Sequence, residues 1–226
     1  SLRTAFSMGI GSSRTIFGVL IGMDFLTFNN NKMSKHIPFL DTETTGLPSR
    51  WNAPYNEWPR MVSLAYMLCE EDGKIIDQME LIIKPDGYEI PKEASDIHGI
   101  TQVIAEQQGN DLQMALIKLL TLVEIADLIV FHNQSFDVGI ITGEQMRVGF
   151  GKSEYISSKK PKIFCTKESS TKICKIPNVG RGGYKWPSLA ELCKFCKVKN
   201  KGAHNALNDV IATKECYFYM VEQGYF

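Results

Sequence analysis

The pattern of apolar and polar positions predicts three strands at the start of the region that begins near residue 36. A short apolar run at residues 37–41 ends in acidic residues and predicts a strand. Residues 61–69 and 75–83 are rich in strand-forming residues. The acidic, glycine-containing segment 70–74 joins these two runs, so we expect an antiparallel hairpin.

Helical spacing appears after residue 111. Apolar residues recur every three or four positions through residues 111–125, which predicts an amphipathic helix. Further strands are predicted at residues 128–131 and 162–165, and further helices at residues 136–148, 187–198 and 205–221. This succession of strands and helices predicts an α/β fold, in which helices cover both faces of a mixed sheet.

The first 32 residues differ from the rest of the chain. They contain Arg3 and Arg14 but no acidic residue before Asp24. An apolar run at residues 16–28 is interrupted by Asp24 and is too short to span a bilayer. A transit-like leader, translated upstream sequence and an ordered arm all remain open. We therefore assign residues 1–32 as an extension of unknown role and residues 33–226 as the functional domain, and we expect no membrane partner.

Charge is distributed unevenly along a chain whose net charge is zero. Residues 151–201 contain twelve lysines and one arginine against three glutamates, a local net charge of +10. The remainder must then carry −10, which favours a segment that faces a polyanion beside an acidic pocket. A solvated, lysine-rich surface explains the same composition.

The cysteines give no sign of a disulfide framework. The chain has 226 residues, 44% of them hydrophobic, and this suffices for a core without cross-links. We expect free thiols in a reducing, intracellular and cytoplasmic environment. Cys193 and Cys196 form a CxxC pair inside a predicted helix. A zinc site needs a second pair, and Cys165 and Cys174 lack a suitable spacing for it.

The first candidate site lies at the end of the strand predicted at residues 37–41. Asp41 and Glu43 are two positions apart, so both carboxylates of an extended strand point to the same side. Two such acids repel each other unless a cation lies between them, and hard oxygen ligands suit Mg²⁺ or Mn²⁺. Solvated acids at an exposed strand end are the commoner explanation of an isolated pair, so other segments must decide.

Two further segments each place an aspartate near the start of a helix. The strand at residues 128–131 is followed by a segment that contains Asn133, Phe136 and Asp137. Near the end of the chain, His204 precedes a predicted helix and Asp209 lies one turn inside it. Either aspartate alone would be explained by the favourable interaction of an acid with a helix N-terminus.

The three segments in this order resemble the DEDDh (DnaQ-like) 3′-5′ exonuclease family. They read DxE, HNxxFD and HNxxxD, and the resemblance covers about residues 36–222. It is similar in type to the polymerase III epsilon (proofreading) subunit and its stand-alone relatives. The resemblance implies a ribonuclease H-like fold with a five-stranded mixed sheet and helices on both faces. It also implies removal of nucleotides from a 3′ end.

The resemblance also implies roles for the acidic residues and the histidine. It places Asp41 as a ligand shared by two divalent cations, Mg²⁺ or Mn²⁺. Glu43 and Asp209 complete the shell of one cation, and Asp137 supports the other. Histidine has an ordinary pKa near about 6.5, so His204 is suited to accept a proton from water at neutral pH. The products should be nucleoside 5′-monophosphates.

Substrate-binding residues are implied by the same resemblance, namely Thr42, Thr44, Leu47, His98, Asn133 and Phe136. His98 lies in a segment, residues 97–101, that resembles the helix and turn packed against the terminal nucleotide. The aromatic residues Trp51, Tyr55 and Trp58 lie in a long loop. They could stack on bases, or Trp58 could simply cover the sheet edge.

Two other functions remain open from the sequence. A nucleic-acid-binding or polymerase-binding module that does not cleave is disfavoured, because every ligand and the base are present. An exonuclease directed at RNA, of the ribonuclease T or oligoribonuclease type, contains the same motifs, since recognition of the 2′-hydroxyl makes that choice. We favour single-stranded DNA as the partner, with a DNA polymerase as a further candidate.

Overall fold

Five strands form a mixed sheet in the computed structural model, which describes residues 35–149, 161–200, 202 and 204–226. They are β1 (His36–Thr44), β2 (Met61–Glu70), β3 (Ile75–Ile82), β4 (Leu128–Phe131) and β5 (Lys162–Cys165). Their order across the sheet is β3-β2-β1-β4-β5. β1 and β3 flank β2 in antiparallel orientation, whereas β4 pairs in parallel with both β1 and β5. The predicted α/β class and five-stranded mixed sheet are confirmed.

The helices begin where side chains or turns can satisfy their first backbone amides. Their bounds are α1 (Lys92–His98), α2 (Gln102–Gln108), α3 (Leu112–Ile125), α4 (Gln134–Arg147), α5 (Thr166–Ser169), α6 (Thr171–Cys174), α7 (Leu189–Cys196) and α8 (Ala206–Glu222), with a short 3-10 helix at Tyr55–Glu57. The Asp111 side chain accepts a hydrogen bond from the Met114 amide at the start of α3. Asn205 does the same for the Asn208 amide at the start of α8. Such caps satisfy donors that a helix leaves unpaired.

Alternate residues of β1 face two different groups of helices. Leu40 is buried in a core that α3 and α4 complete from one side of the sheet. Phe39 is buried in a second core, against Val210 and Tyr217 of α8. Because side chains alternate along a strand, Asp41 and Glu43 continue the face toward α8. Thr42 continues the face toward α4.

A buried ion pair holds α4 against the start of β2. The Glu144 carboxylate is almost fully buried and accepts hydrogen bonds from Arg60 Nε at 2.9 Å and from the Met61 amide at 2.8 Å. The guanidinium of Arg147 lies 3.2 Å from the same carboxylate. Gly139 lets α4 approach the Trp58 ring, since an added Cβ would lie 2.2 Å from a ring carbon. These contacts set the position of the helix that carries Asp137.

Two predicted element boundaries differ from the structure. β1 continues to Thr44 rather than ending at residue 41, because β2 pairs with it as far as Met61. Backbone pairing of this kind tolerates acidic side chains that point away from the ladder. α7 is shorter than the predicted 187–198, because Ser188 caps it in a reciprocal capping box. Lys197 ends it in a left-handed conformation.

The cysteines of the CxxC pair are buried free thiols in α7. Cys216 of α8 contacts Cys193 with their sulfurs 3.7 Å apart, a neighbour that spacing in the sequence did not indicate. Within the described ranges, no group of cysteines has its sulfurs close enough together to hold a metal. The expectation of free thiols therefore agrees with the described structure.

Predictions about residues 1–32 fall outside the described part of the chain. So does most of the first third of the basic segment, residues 151–160. The role of the extension and the start of the functional domain at residue 33 stay predictions. No helix among the described residues is long and apolar enough to cross a membrane.

Candidate active site

Three carboxylates meet at the carboxyl end of β1. Asp41 and Glu43 project from β1 toward α8, and Asp209 lies in the first turn of that helix. One carboxylate oxygen of each lies within 4.8 Å of the others, and all three residues are partly exposed. Ligands must approach each other closely to share a cation, and they must remain accessible to substrate. The geometry meets both requirements.

The carboxylates of this cluster are held under electrostatic strain in the absence of a counter-charge. Burial raises the pKa of Asp41 well above its ordinary value, and the charges of Asp137, Glu43 and Asp209 raise it further. Burial also raises the pKa of Glu43 to about 7, with further contributions from Asp209, Glu80 and Asp137. A divalent cation would relieve this repulsion, and carboxylate oxygens are the ligands that Mg²⁺ and Mn²⁺ prefer. The donor set therefore fits a hard divalent cation.

Asp137 reaches the site from the other face of the sheet. It lies in the first turn of α4, is only 2% exposed, and accepts two hydrogen bonds from Thr42. The Thr42 amide donates to Oδ1 at 3.1 Å and the Thr42 hydroxyl donates to the same oxygen at 2.9 Å. Burial raises the pKa of Asp137 to about 7, and these hydrogen bonds oppose the rise. Asp137 is not one of the three mutually close ligands, but its charge acts directly on Asp41.

Asp209 is oriented by two donors from the preceding loop. Asn200 Nδ2 donates to Oδ1 at 3.0 Å, and the backbone amide of His204 donates to Oδ2 at 3.1 Å. His204 has φ 68°, a left-handed conformation that is uncommon for a residue other than glycine, and its side chain is exposed. The structure thus ties the backbone of His204 to the cluster. The role of its imidazole as base stays a prediction.

Glu80 is a fifth acid beside the cluster that the motifs did not reveal. It lies on β3 in the row of paired residues that contains Ala65 and Asp41. Both of its carboxylate oxygens accept from Asn205 Nδ2 at 3.1 Å. Asn205 caps α8, so Glu80 links the edge strand to the helix that carries Asp209. The register of a hairpin, which places Glu80 in this row, is not visible in a short motif.

The predicted nucleotide-binding residues fall into exposed and buried groups. Leu47 is 79% exposed, whereas Thr44 is buried and its hydroxyl donates to the Gly46 carbonyl at 2.7 Å. His98 is buried at the end of α1 and its Nδ1 accepts from the Ile100 amide at 3.1 Å. Its Nε2 faces the backbone of Thr44, although the geometry falls short of a full hydrogen bond. Burial lowers the pKa of His98, so the ring is neutral at neutral pH.

The remaining predicted contacts have clear structural partners. The amide and the hydroxyl of Thr42 both donate hydrogen bonds to Asp137, so the contact of Thr42 with a nucleotide stays a prediction. Phe136 packs against the core and the rings of Trp51 and Trp58, so its contact with a nucleotide stays a prediction. Asn133 immediately precedes α4, and its Oδ1 accepts from Lys167 Nζ at 3.0 Å.

The aromatic residues of the long loop after β1 differ in exposure, which bears on whether each one packs in the core or could stack on a base. Trp58 is 4% exposed, and its Nε1 donates to the Ala53 carbonyl at 3.1 Å. Trp58 therefore belongs to the core. Trp51 is 59% exposed and Tyr55 is also exposed, and both pack edge-on against Trp58. These two rings border an open pocket of about 300 Å³ beside the start of α4, where base stacking stays a prediction.

Comparisons with known proteins point to one family. The family model described as Exonuclease (RNase_T) matches residues 39–217. A DNA polymerase III of the PolC type from Listeria monocytogenes is 31% identical over 114 residues, which are 50% of this chain and 7% of that protein. The chain therefore corresponds to a small part of this curated relative.

Solved structures of exonuclease I share the fold. E. coli exonuclease I in complex with a dT13 oligonucleotide superposes with a TM-score of 0.67 at 19% identity, over 83% of this chain and 41% of that one. Exonuclease I from Methylocaldum szegediense gives a TM-score of 0.67 at 18% identity, over 84% and 41% of the respective chains. The chain thus spans about two fifths of the length of these proteins.

Proposed function

The chain belongs to the exonuclease (RNase_T) family, in its DEDDh branch, and we propose from this premise that it is a metal-dependent 3′-5′ exonuclease. Its substrate is single-stranded DNA or a frayed 3′ end, and its products are nucleoside 5′-monophosphates. The observation that carries the proposal is the convergence of Asp41, Glu43 and Asp209, with Asp137 held beside them by Thr42. All four acids of the family pattern thus lie at one place in the fold.

Members of this family depend on divalent metal ions, and an acidic cluster suited to them is present. We propose two cations, Mg²⁺ or Mn²⁺, which Asp41, Glu43, Asp137 and Asp209 would hold. When bound, such a pair activates water and stabilises the leaving 3′ oxygen. The raised pKa values of Asp41 and Glu43 support this assignment, because no cationic side chain of the described residues offsets the repulsion between these acids.

The residues of the chain then have separate tasks. Asn200 and the His204 amide hold the Asp209 carboxylate in one orientation. The His204 imidazole accepts the proton of the attacking water, and its exposed position on the loop allows it to face the scissile phosphate. Leu47, which is exposed, and His98 contact the terminal nucleotide.

DNA is favoured as the substrate by what the similar proteins are. One is a DNA polymerase III of the PolC type, and E. coli exonuclease I has been solved with a dT13 oligonucleotide. For the same reason a DNA polymerase is the candidate protein partner. RNA remains the alternative, because the phosphodiester chemistry is the same for both sugars.

The test compares the parent with Asp41→Ala on matched single strands of DNA and RNA labelled at the 5′ end. The parent should shorten the DNA strand stepwise, lose activity in EDTA and recover it in Mg²⁺ or Mn²⁺. Glu222→Ala, at an exposed acid at the end of α8, should behave like the parent. Undiminished cleavage by Asp41→Ala would overturn the assignment, and faster cleavage of RNA would select the alternative substrate. Strand binding without cleavage under every metal condition would indicate a binding module.

A further inference from the structure

A glycine-rich finger projects beside the active site between α6 and α7. We define it as residues 176–185, whose two arms are joined by backbone hydrogen bonds from Asn178 to Gly183 and from Lys185 to Ile176, at 3.0 and 2.9 Å. Gly180, Gly182 and Gly183 all have positive φ, which lets the chain turn tightly around Arg181. The finger therefore presents the Arg181 side chain at its tip.

A basic recess lies between this finger and α5. It has a volume of about 470 Å³ and is lined by Lys167, Asn178, Arg181, Tyr184, Lys185 and Trp186. Tyr184 is 47% exposed and Trp186 is 60% exposed. The lining thus combines two accessible aromatic faces with cations, and no acidic side chain is among these lining residues.

The three basic side chains of the recess differ in their interaction partners. Lys185 is paired with Glu191 at 2.6 Å, which fastens the base of the finger to α7. Lys167 lies with its ammonium 5.0 Å from the centre of the Trp186 ring. Within the described residues, no ion pair or hydrogen bond engages the guanidinium of Arg181. Arg181 and Lys167 can therefore bind an anion without first breaking an ion pair.

Lys167 connects the recess to the catalytic acids. Its ammonium donates to Asn133 Oδ1 at 3.0 Å, and Asn133 precedes the helix turn that contains Asp137. The recess thus adjoins the acidic cluster on the side of β5, which immediately precedes α5. His98 lies on the opposite side of the acidic cluster, because its helix α1 packs with Val62 and Ile82 of β2 and β3. A strand that contacts both His98 and the recess would therefore pass across the acidic cluster.

We propose that the basic recess binds a nucleotide of the single strand on the 5′ side of the one being removed. Trp186 and Tyr184 supply the faces on which its base stacks, and Arg181 and Lys167 contact its phosphates. Base stacking and phosphate contacts are insensitive to sequence, so the site holds any strand and feeds it to the acidic cluster. This inference rests on the exonuclease activity proposed above.

The experiment measures KM and kcat on single-stranded DNA of about 10 nucleotides, within the length that such grooves bind. Trp186→Ala should raise KM about 5- to 150-fold, the equivalent of about 1–3 kcal/mol of stacking, and leave kcat unchanged. Trp186→Phe should retain most of the affinity. Lys194→Ala removes an exposed charge of α7 outside the recess and is the matched control for Arg181→Ala.

Binding of the same labelled strand in EDTA, followed by fluorescence anisotropy, separates this inference from the proposed activity. Arg181→Ala should weaken binding and reduce the slope of log K against log salt by about 0.7, whereas Lys194→Ala should not. RNA strands should show the same losses, because the recess contacts bases and phosphates. An inactive parent whose binding still depends on Trp186 and Arg181 would refute the activity alone. Affinities of Trp186→Ala and Arg181→Ala within twofold of the parent would refute the recess.

Discussion

Without metal, the acidic cluster should destabilise the fold at neutral pH, and Glu43→Gln should remove part of this penalty. The pKa of Glu43 rises from its ordinary value of 4.5 to about 7 in the folded chain, chiefly because of burial. Between these two pH values the folded protein keeps a proton that the unfolded chain has released. The free energy of unfolding must therefore fall as pH rises through this window and level off above pH 7. Glutamine does not titrate, so the variant escapes this fall.

The size of the effect follows from the difference between the two pKa values. At about 1.4 kcal/mol per pKa unit, the change from 4.5 to about 7 corresponds to at most about 3–4 kcal/mol. Glu43 is partly exposed, so solvent screening reduces this to about 2 kcal/mol. For a domain of this size, about 2 kcal/mol corresponds to a rise in melting temperature of about 4–8 °C.

The assay is thermal unfolding of parent and Glu43→Gln in EDTA between pH 5 and pH 8. The variant should gain little at pH 5 and its full advantage above pH 7. In Mg²⁺ at a concentration of about 100 times Kd, the parent should gain about 2.7 kcal/mol, and the variant should gain much less. Glu222→Gln, at an exposed position, is the control and should follow the parent. An advantage for Glu43→Gln that is the same at pH 5 and pH 8, or a loss of stability, would refute the reasoning.

Four other changes test separate parts of the site. His204→Ala should keep metal and strand binding but lose about 10²–10⁴-fold in kcat, and an unchanged rate would return His204 to a structural role. Glu80→Gln keeps an acceptor for Asn205 but removes a charge, so half-maximal activity should need about three to ten times more Mg²⁺. Thr42→Val should lower the free energy of unfolding by about 1–3 kcal/mol, because the buried Asp137 loses a hydroxyl donor. A chain that starts at Met33 should remain folded and active by circular dichroism and nuclease assay, because residues 1–32 contain none of the family motifs.

The fold could be predicted because its elements are long or strongly patterned. The hairpin of β2 and β3, the strand β4 and the helix α3 all lie within one or two residues of the predicted bounds. The end of β1 could not be predicted from polarity. Glu43 and Thr44 are polar, yet they stay in the strand because β2 supplies backbone partners as far as Met61. Pairing between distant residues decided that boundary.

The candidate site could be predicted as a set of acids but not as an arrangement. The motifs indicate which four acids belong to the site, and the structure groups three of them within 4.8 Å. Asn200 and Glu80 were missed, and so was the contact of Lys167 with Asn133, because these residues act through hydrogen bonds to partners far away in the sequence or across a loop. Contacts of this kind have no spacing rule that a single sequence can reveal.

Side chains of β1 point alternately to the two faces of the sheet, and this explains why Asp137 lies apart from Asp41, Glu43 and Asp209. Asp41 and Glu43 face α8, so they meet Asp209 without any adjustment of the chain. Thr42 faces α4, and its amide and hydroxyl hold the Asp137 carboxylate on the opposite face of the same strand. The four acids are therefore coupled through β1 itself, and a change on either face of this strand should act on both groups. This coupling is why a substitution as small as Thr42→Val, which touches none of the three clustered carboxylates, should still reduce turnover.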